Sequence, residues 1–333
     1  MEILVVAVCL LTAAYANASA PDLRAEAGLR IRYDDNVFQY SDRNLGRFSP
    51  ATLNKFTTLE STDDIIVTPS IDVRATWKGR YTTRLFAGVD VNQYTKNTDR
   101  SNQTYTLGVT RQLPHDTGLT LRYRFVPTHF GWRLADPPNQ TTTYSNAELS
   151  SSSWRLAVNH DLNRMLSAEL YGAWDTKDYN APFNYRDITV KEMGLSGTAK
   201  LRREVSVKLG VVLETGDAAG AGDTSVNSDT SYDQWSVLLR PTISPTRDWD
   251  VALTYAYYQR DFTSSLGLVD ENYYQREDTA YTVGIDSTVQ VRKGIELRAE
   301  YDRIDRTSNK SGANLEFGNY TEQRVTIGAE YRF

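Results

Sequence analysis

The chain has 333 residues, of which 40% are hydrophobic and 24% charged, with a formal net charge of −5. Mean hydropathy is −0.50, and beyond the first residues no apolar run is long enough to cross a bilayer, which excludes a helical membrane protein. The acidic balance argues against a nucleic-acid partner, and the sole cysteine, Cys9, leaves the rest of the chain with no disulfide, thiol nucleophile or thiolate ligand.

The chain opens with an apolar run, Ile3 to Ala16, followed by the small-x-small site Ala18-Ser19-Ala20. That arrangement predicts a secretory leader over residues 1–20, with cleavage after Ala18 as the alternative, and a single domain over 21–333. Cys9 would leave with the leader.

Next comes a period of two. Ala25, Ala27, Leu29, Ile31 and Tyr33 alternate with Glu26, Gly28, Arg30 and Arg32, the pattern of a strand with one apolar and one polar face. The second such segment, about 65–77, sets Val67, Ile71, Val73, Ala75 and Trp77 against Thr68, Ser70, Asp72, Arg74 and Thr76. A tight Lys78-Gly79 turn leads into a third segment, 81–94, making a hairpin. Further segments follow at about 103–113, 118–126, 150–160, 164–175, 187–201, 204–214, 231–243, 249–260, 277–292, 294–305 and 320–333, fourteen in all.

Short connections alternate with long ones at about 35–63, 95–102, 127–149, 176–186, 215–230, 261–276 and 306–319. Even strand number, dyad alternation and alternating loop length together predict an all-β fold, a single antiparallel transmembrane β-barrel of about fourteen strands. Both termini then lie on the short-turn, periplasmic side. The apolar faces meet outer-membrane lipid, and the 21 Tyr and 6 Trp supply interfacial girdles. No second domain, plug or passenger is expected.

Function would be written on the inward positions. The expected lining is Arg30, Arg32, Asp72, Arg74, Arg84, Asp90, Arg122, Arg124, Asp286, Glu296, Arg298, Glu300 and Arg324. A dry interior would demand nearly complete pairing of such charges, whereas a hydrated channel tolerates them. Basic residues gather on the first, second, third and fifth strands, and acidic ones on the twelfth and thirteenth. Opposed arcs of this kind would set a field across a pore, and cross-strand ion pairs that stiffen the wall are the alternative. The inward Gly28, Gly88, Gly108, Gly210, Gly284 and Gly328 suit curvature and close packing beside bulky neighbours.

Catalytic and metal constellations are thin. His129 stands alone near Thr128 and Asp136 with no convincing serine, and neither Asp34-Asp35-Asn36 nor the Gly216 to Asp229 segment has the spacing of a calcium loop. The reading is therefore no enzyme, no metal and no cofactor.

In the last strand Val325, Ile327, Ala329, Tyr331 and Phe333 alternate with Arg324, Thr326, Gly328, Glu330 and Arg332. This resembles the terminal signal of outer-membrane barrels, with Tyr331 and Phe333 as assembly signal, and implies the outer membrane of a Gram-negative bacterium and its barrel assembly machinery as partner. The stretch Leu29-Arg30-Ile31-Arg32-Tyr33-Asp34-Asp35-Asn36-Val37-Phe38 resembles the beta-barrel porin 2 family, whose first strand often ends in Asp-x-Asn followed by an aromatic residue. The resemblance implies a link to exopolysaccharide secretion, with a saccharide substrate and periplasmic export proteins as partners. The residues themselves predict a porin-like channel for small solutes or saccharides; an export conduit or a closed surface-binding barrel are the rival expectations. Asp34, Asp35 and Asn36 are expected to open the first long loop through side-chain to backbone turns.

Overall fold

The computed structural model describes residues 20–48, 59–135, 144–223, 228–267, 270, 272–310 and 318–333. The expected leader, apart from Ala20, lies outside the described residues. Fourteen strands follow one another: β1 (Asp22–Asp34), β2 (Asp64–Trp77), β3 (Thr83–Tyr94), β4 (Asn102–Leu113), β5 (Thr117–Ala135), β6 (Tyr144–Asp161), β7 (Leu166–Tyr179), β8 (Ile188–Arg202), β9 (Val205–Ala218), β10 (Tyr232–Thr246), β11 (Trp249–Phe262), β12 (Glu277–Arg292), β13 (Ile295–Ser308) and β14 (Tyr320–Arg332). Each pairs antiparallel with its sequence neighbours, and β1 closes on β14, so no sheet edge is left open.

The period of two places the apolar set outside. Leu29, Ile71, Leu107, Leu195, Val283 and Ile327 are all exposed on the outer wall, a distribution that only a lipid solvent makes favourable. Aromatic rings cluster on the same wall near the long loops, where Tyr257 lies 5.1 Å from Tyr281 and 5.2 Å from Trp235. Trp249 marks the short-turn end of β11. Eight residues separate Trp249 from Tyr257, about 27 Å along a strand, and tilt brings that close to the height of an apolar band.

Inside, side chains lie flat over cross-strand glycines. Opposite Gly108 sits Phe86, opposite Gly194 Tyr171, and opposite Gly216 Tyr232, and a Cβ on any of the three glycines would stand within 2.5 Å of the ring. Of the glycines expected to face inward, Gly108 alone meets a ring, whereas Gly28, Gly88, Gly284 and Gly328 lie under Ser70, Asp72, Asp302 and Arg30. Gly294, in the turn between β12 and β13, has φ of +80° and a Cβ position 2.9 Å from the Arg332 carbonyl, so both backbone and space require glycine there.

The largest extensions beyond the predicted strands are in β5 and β6. Instead of a loop over 127–149, β5 runs on to Ala135 and β6 begins at Tyr144. Pro127 and Gly131 would each weaken a regular ladder, yet register shifts between Val126 and His129 and between Phe130 and Trp132 absorb them, and pairing resumes through Trp132, Arg133 and Leu134. A bulge leaves one residue without a ladder partner, which is what a proline needs.

The packed core is small and sits at the long-loop end. Val37, Phe38 and Tyr40 of the first loop pack with Leu59, Ile66 and Phe130. Among its described residues the loop carries a short helix, α1 (Asp42–Gly46), whose N-terminal turn is capped by Ser41, with its hydroxyl 3.4 Å from the Asn44 amide.

Candidate functional site: the barrel lumen

Register fixes which side chains share the inner face. Arg30 stands opposite Gly328, Arg122 opposite Gly108 and Arg155, Asp286 opposite Glu300 and Ala252, and Asp302 opposite Arg324. Four cavities follow from this face. One lies at the short-turn end between Arg24, Glu26, Asp72, Arg74 and Phe86. A second, of about 420 Å³, lies deeper, between Arg30, Arg32, Asp90, Arg124, Glu296, Arg298, Glu300, Asp302 and Arg324. A third, of about 510 Å³, follows β5 to β11 past Arg122, Arg124, Arg155, Tyr171, Asp175, Lys177, Glu192 and Glu214. The fourth, of about 280 Å³, lies at the long-loop end beneath Gln39, Tyr40 and Asn44 of the first loop.

The predicted lining residues divide into two groups. Arg30 donates to Asp90 at 2.7 Å. Arg298 donates to Asp286 at 2.6 Å and lies 3.1 Å from Glu300. Arg324 donates to Glu322 at 2.7 Å and approaches Asp34 at 3.4 Å, while Glu296 accepts from Arg332 at 3.1 Å. Arg298–Asp286 and Arg332–Glu296 brace neighbouring strands, Arg30–Asp90 reaches across β2, and Arg324–Glu322 lies within β14. Arg32, Asp72, Arg74, Arg84, Arg122 and Arg124 make no ion pair among the described residues, and the Nε atoms of Arg32 and Arg84 are buried without a hydrogen-bond partner. Unpaired guanidinium groups in such number require water around them.

The arcs do not oppose one another as expected. Because β14 closes onto β1, the acidic strands β12 and β13 are separated from the basic β1 by β14 alone. Both signs therefore line one cavity, with Arg30, Arg32 and Arg124 facing Glu296, Glu300 and Asp302. Linear order hid this, since barrel closure makes the two ends of the chain neighbours.

Several lumen residues escaped the sequence reading. Arg155 is on β6, where its inward neighbours Ser151, Ser153 and Ala157 are too small to mark a face. It donates to Glu169 at 2.8 Å and lies 3.9 Å above the ring of Tyr171. Lys177 fell within a segment read as loop, but β7 continues to Tyr179. Arg260 closed a predicted strand without being assigned a face; its guanidinium lies 4.0 Å above the Tyr232 ring, and its Nε donates to Gln234 at 2.8 Å. Arg276 donates to Asp278 at 2.5 Å, and Arg306 lies 3.8 Å from the same carboxylate.

The first loop is tied down at its root. Asp34 accepts from the Asn36 amide at 3.0 Å; the fully buried Asn36 accepts from the Tyr40 amide at 2.8 Å and donates to the Tyr40 carbonyl at 2.9 Å. Gln39 donates to Glu322 at 3.3 Å. In the neighbouring loops Lys96 donates to Asp63 at 2.8 Å; that hydrogen bond holds the Asp63 carboxyl below its ordinary range and raises the Lys96 ammonium. His129 lies 3.1 Å from the Pro127 carbonyl, its sole hydrogen-bond partner among the described residues. Among those residues no group of three or more His, Cys, Asp or Glu is placed to hold a metal ion.

A closed fourteen-strand antiparallel barrel with an apolar outer wall and a charged inner one is a porin-like outer-membrane barrel. Among solved structures, the TodX monoaromatic hydrocarbon channel (deltaS2 mutant) superposes with a TM-score of 0.50 at 9% identity, covering 94% of this chain and 90% of that one. The outer membrane channel DcaP of Acinetobacter baumannii gives 0.49 at 14% identity over 94% and 98%, and the anion-selective porin from Comamonas acidovorans 0.48 at 10% over 95% and 100%. At such identities the likeness is one of fold. No family model matches the chain, and no curated protein does.

Proposed function

We propose that the protein is a passive channel of the Gram-negative outer membrane, exported with residues 1–20 as its leader and inserted by the barrel assembly machinery. The observation that carries this reading is the inner wall. Arg32, Arg74, Arg122 and Arg124 make no ion pair among the described residues and line the three cavities that run from the short turns toward the outer one. A barrel filled for stability alone would pair or omit such charges, whereas a conduit for polar solutes needs them. Small polar solutes would diffuse through this lumen, with the folded first loop narrowing its outer mouth. Refolded protein in a planar bilayer should open steady, ohmic conductances. A verified folded barrel that stays silent would overturn the reading.

A second reading draws on the Asp34-x-Asn36 turn that carries the resemblance to the beta-barrel porin 2 family. Its geometry supports a structural signature of that family, since both side chains are spent on the root of the first loop. Export of a saccharide with periplasmic partners would follow. Loss of cell-surface polysaccharide on deletion of the gene would favour it over uptake.

A further inference from the structure

The outer cavity and the one beneath it share three lining residues, Lys177 of β7, Tyr232 of β10 and Arg260 of β11. A solute moving from one cavity to the other must pass them. Among the described residues the outer cavity is cationic: Arg133, Lys177, Arg186, Arg260, Arg276 and Arg306 line it with one carboxylate, Asp278. That carboxylate is already engaged, at 2.5 Å from Arg276 and 3.8 Å from Arg306. Below the shared residues Arg122, Arg124 and Arg155 continue the cationic path, with Asp175, Glu192 and Glu214 on the same wall.

The two shared cations differ in how they are held. Arg260 is fixed by Gln234 at 2.8 Å, by the Tyr232 ring at 4.0 Å, and by Glu214 at 3.7 Å. Lys177 is exposed to the lumen and makes neither an ion pair nor a hydrogen bond among the described residues. One oriented guanidinium and one unspent ammonium at the same step suit the two oxygens of a carboxylate, and low-dielectric walls strengthen that attraction over its value in bulk water.

We propose that Lys177 and Arg260 form an oxyanion-binding step at this throat and that the solutes of the channel are small carboxylates. The inference rests on the channel reading above and adds to it a substrate class and a place. Gluconate entering at the long-loop side would meet the cationic mouth, exchange part of its hydration for the two side chains, and be passed to the arginines below.

The test uses the full barrel in a planar bilayer, with reversal potentials in a potassium chloride gradient and with gluconate as blocker of the chloride current. The wild type should prefer chloride to potassium, and gluconate should reduce its current. Lys177→Gln should weaken the gluconate block about fivefold, the size a single partly solvated charge contact carries, and Lys177→Glu should move the reversal potential toward cation preference. Lys191→Gln removes the same charge from the outer wall, where Lys191 pairs with Asp217 at 3.0 Å, and should leave both readouts unchanged. A conducting barrel without anion preference, or with a block unmoved by Lys177→Glu, would overturn the oxyanion step and leave the channel standing. Silence from folded wild-type protein would overturn both.

Discussion

Asn36 is fully buried at the root of the first loop, and its side chain is spent on backbone: the Tyr40 amide at 2.8 Å, the Tyr40 carbonyl at 2.9 Å and the Thr321 carbonyl at 3.4 Å. Removing it leaves buried peptide groups without partners, at a cost of about 1–3 kcal/mol for each group left unmade. Because these bonds join the loop to itself and to β14, the cost should fall on the loop rather than on the barrel. Asn36→Ala is therefore expected to speed amide hydrogen exchange over Val37 to Leu45 and to raise single-channel conductance, while exchange in β1 and β14 stays slow. Unchanged protection of the loop would show that its aromatic cluster alone holds it. The turn itself was legible in the sequence, since Asp and Asn bond locally to nearby backbone. Which lumen arginines would be paired was not. Arg30 and Arg32 occupy equivalent places in the pattern, yet among the described residues only Arg30 meets a carboxylate, from β3, two strands away.

Alternation is a local signal and therefore placed nearly every strand, because one face meets lipid and the other water all the way round. It failed where the ladder is irregular. In β5 beyond Val126 the residues Phe130, Trp132 and Leu134 still alternate with Gly131 and Arg133, but two register shifts cut this short stretch off from the strand before it. Six inward glycines were visible in the sequence, Gly194 not among them, and the side chain laid over each belongs to an adjacent strand and follows only from register. Gly194 shows the consequence. A Cβ there would lie 2.2 Å from the Tyr171 ring, whose hydroxyl donates to Glu192 and whose face carries Arg155 at 3.9 Å. Gly194→Val should displace the ring and destabilise the barrel by about 1–3 kcal/mol, the usual penalty for overpacking. Urea titration in detergent micelles would read the loss, with far-ultraviolet circular dichroism confirming that the strands persist. A midpoint equal to wild type would mean that Tyr171 swings freely into the lumen and braces nothing.

At the scale of the whole molecule the decisive event is closure, which brings residues some 300 positions apart into register. Arg332 donates to Glu26 at 2.7 Å and to Glu296 at 3.1 Å, and the Phe333 amide bonds to the Ala25 carbonyl at 2.9 Å. Closure is also what turned the predicted opposed arcs into adjoining ones, a relation that no reading of linear order contains. The Phe333 side chain takes little part in it: the residue is 71% exposed, and its ring meets the Tyr331 ring at 4.7 Å. In the folded state an exposed ring of this kind contributes little, so a terminal aromatic that matters should act before folding is complete, as a feature read by the insertion machinery. Phe333→Ala keeps the backbone bond to Ala25 and the Arg332 pairs. It is therefore expected to shift the urea midpoint of the refolded barrel by no more than about 0.5 kcal/mol in free energy, the usual range for a surface substitution. The amount of folded barrel recovered from cell outer membranes should nevertheless fall severalfold, with unfolded chain accumulating in the periplasm. Equal membrane yield would remove Phe333 as an assembly signal, and a large loss of stability in the refolded protein would assign it to the closure of β1 on β14 instead.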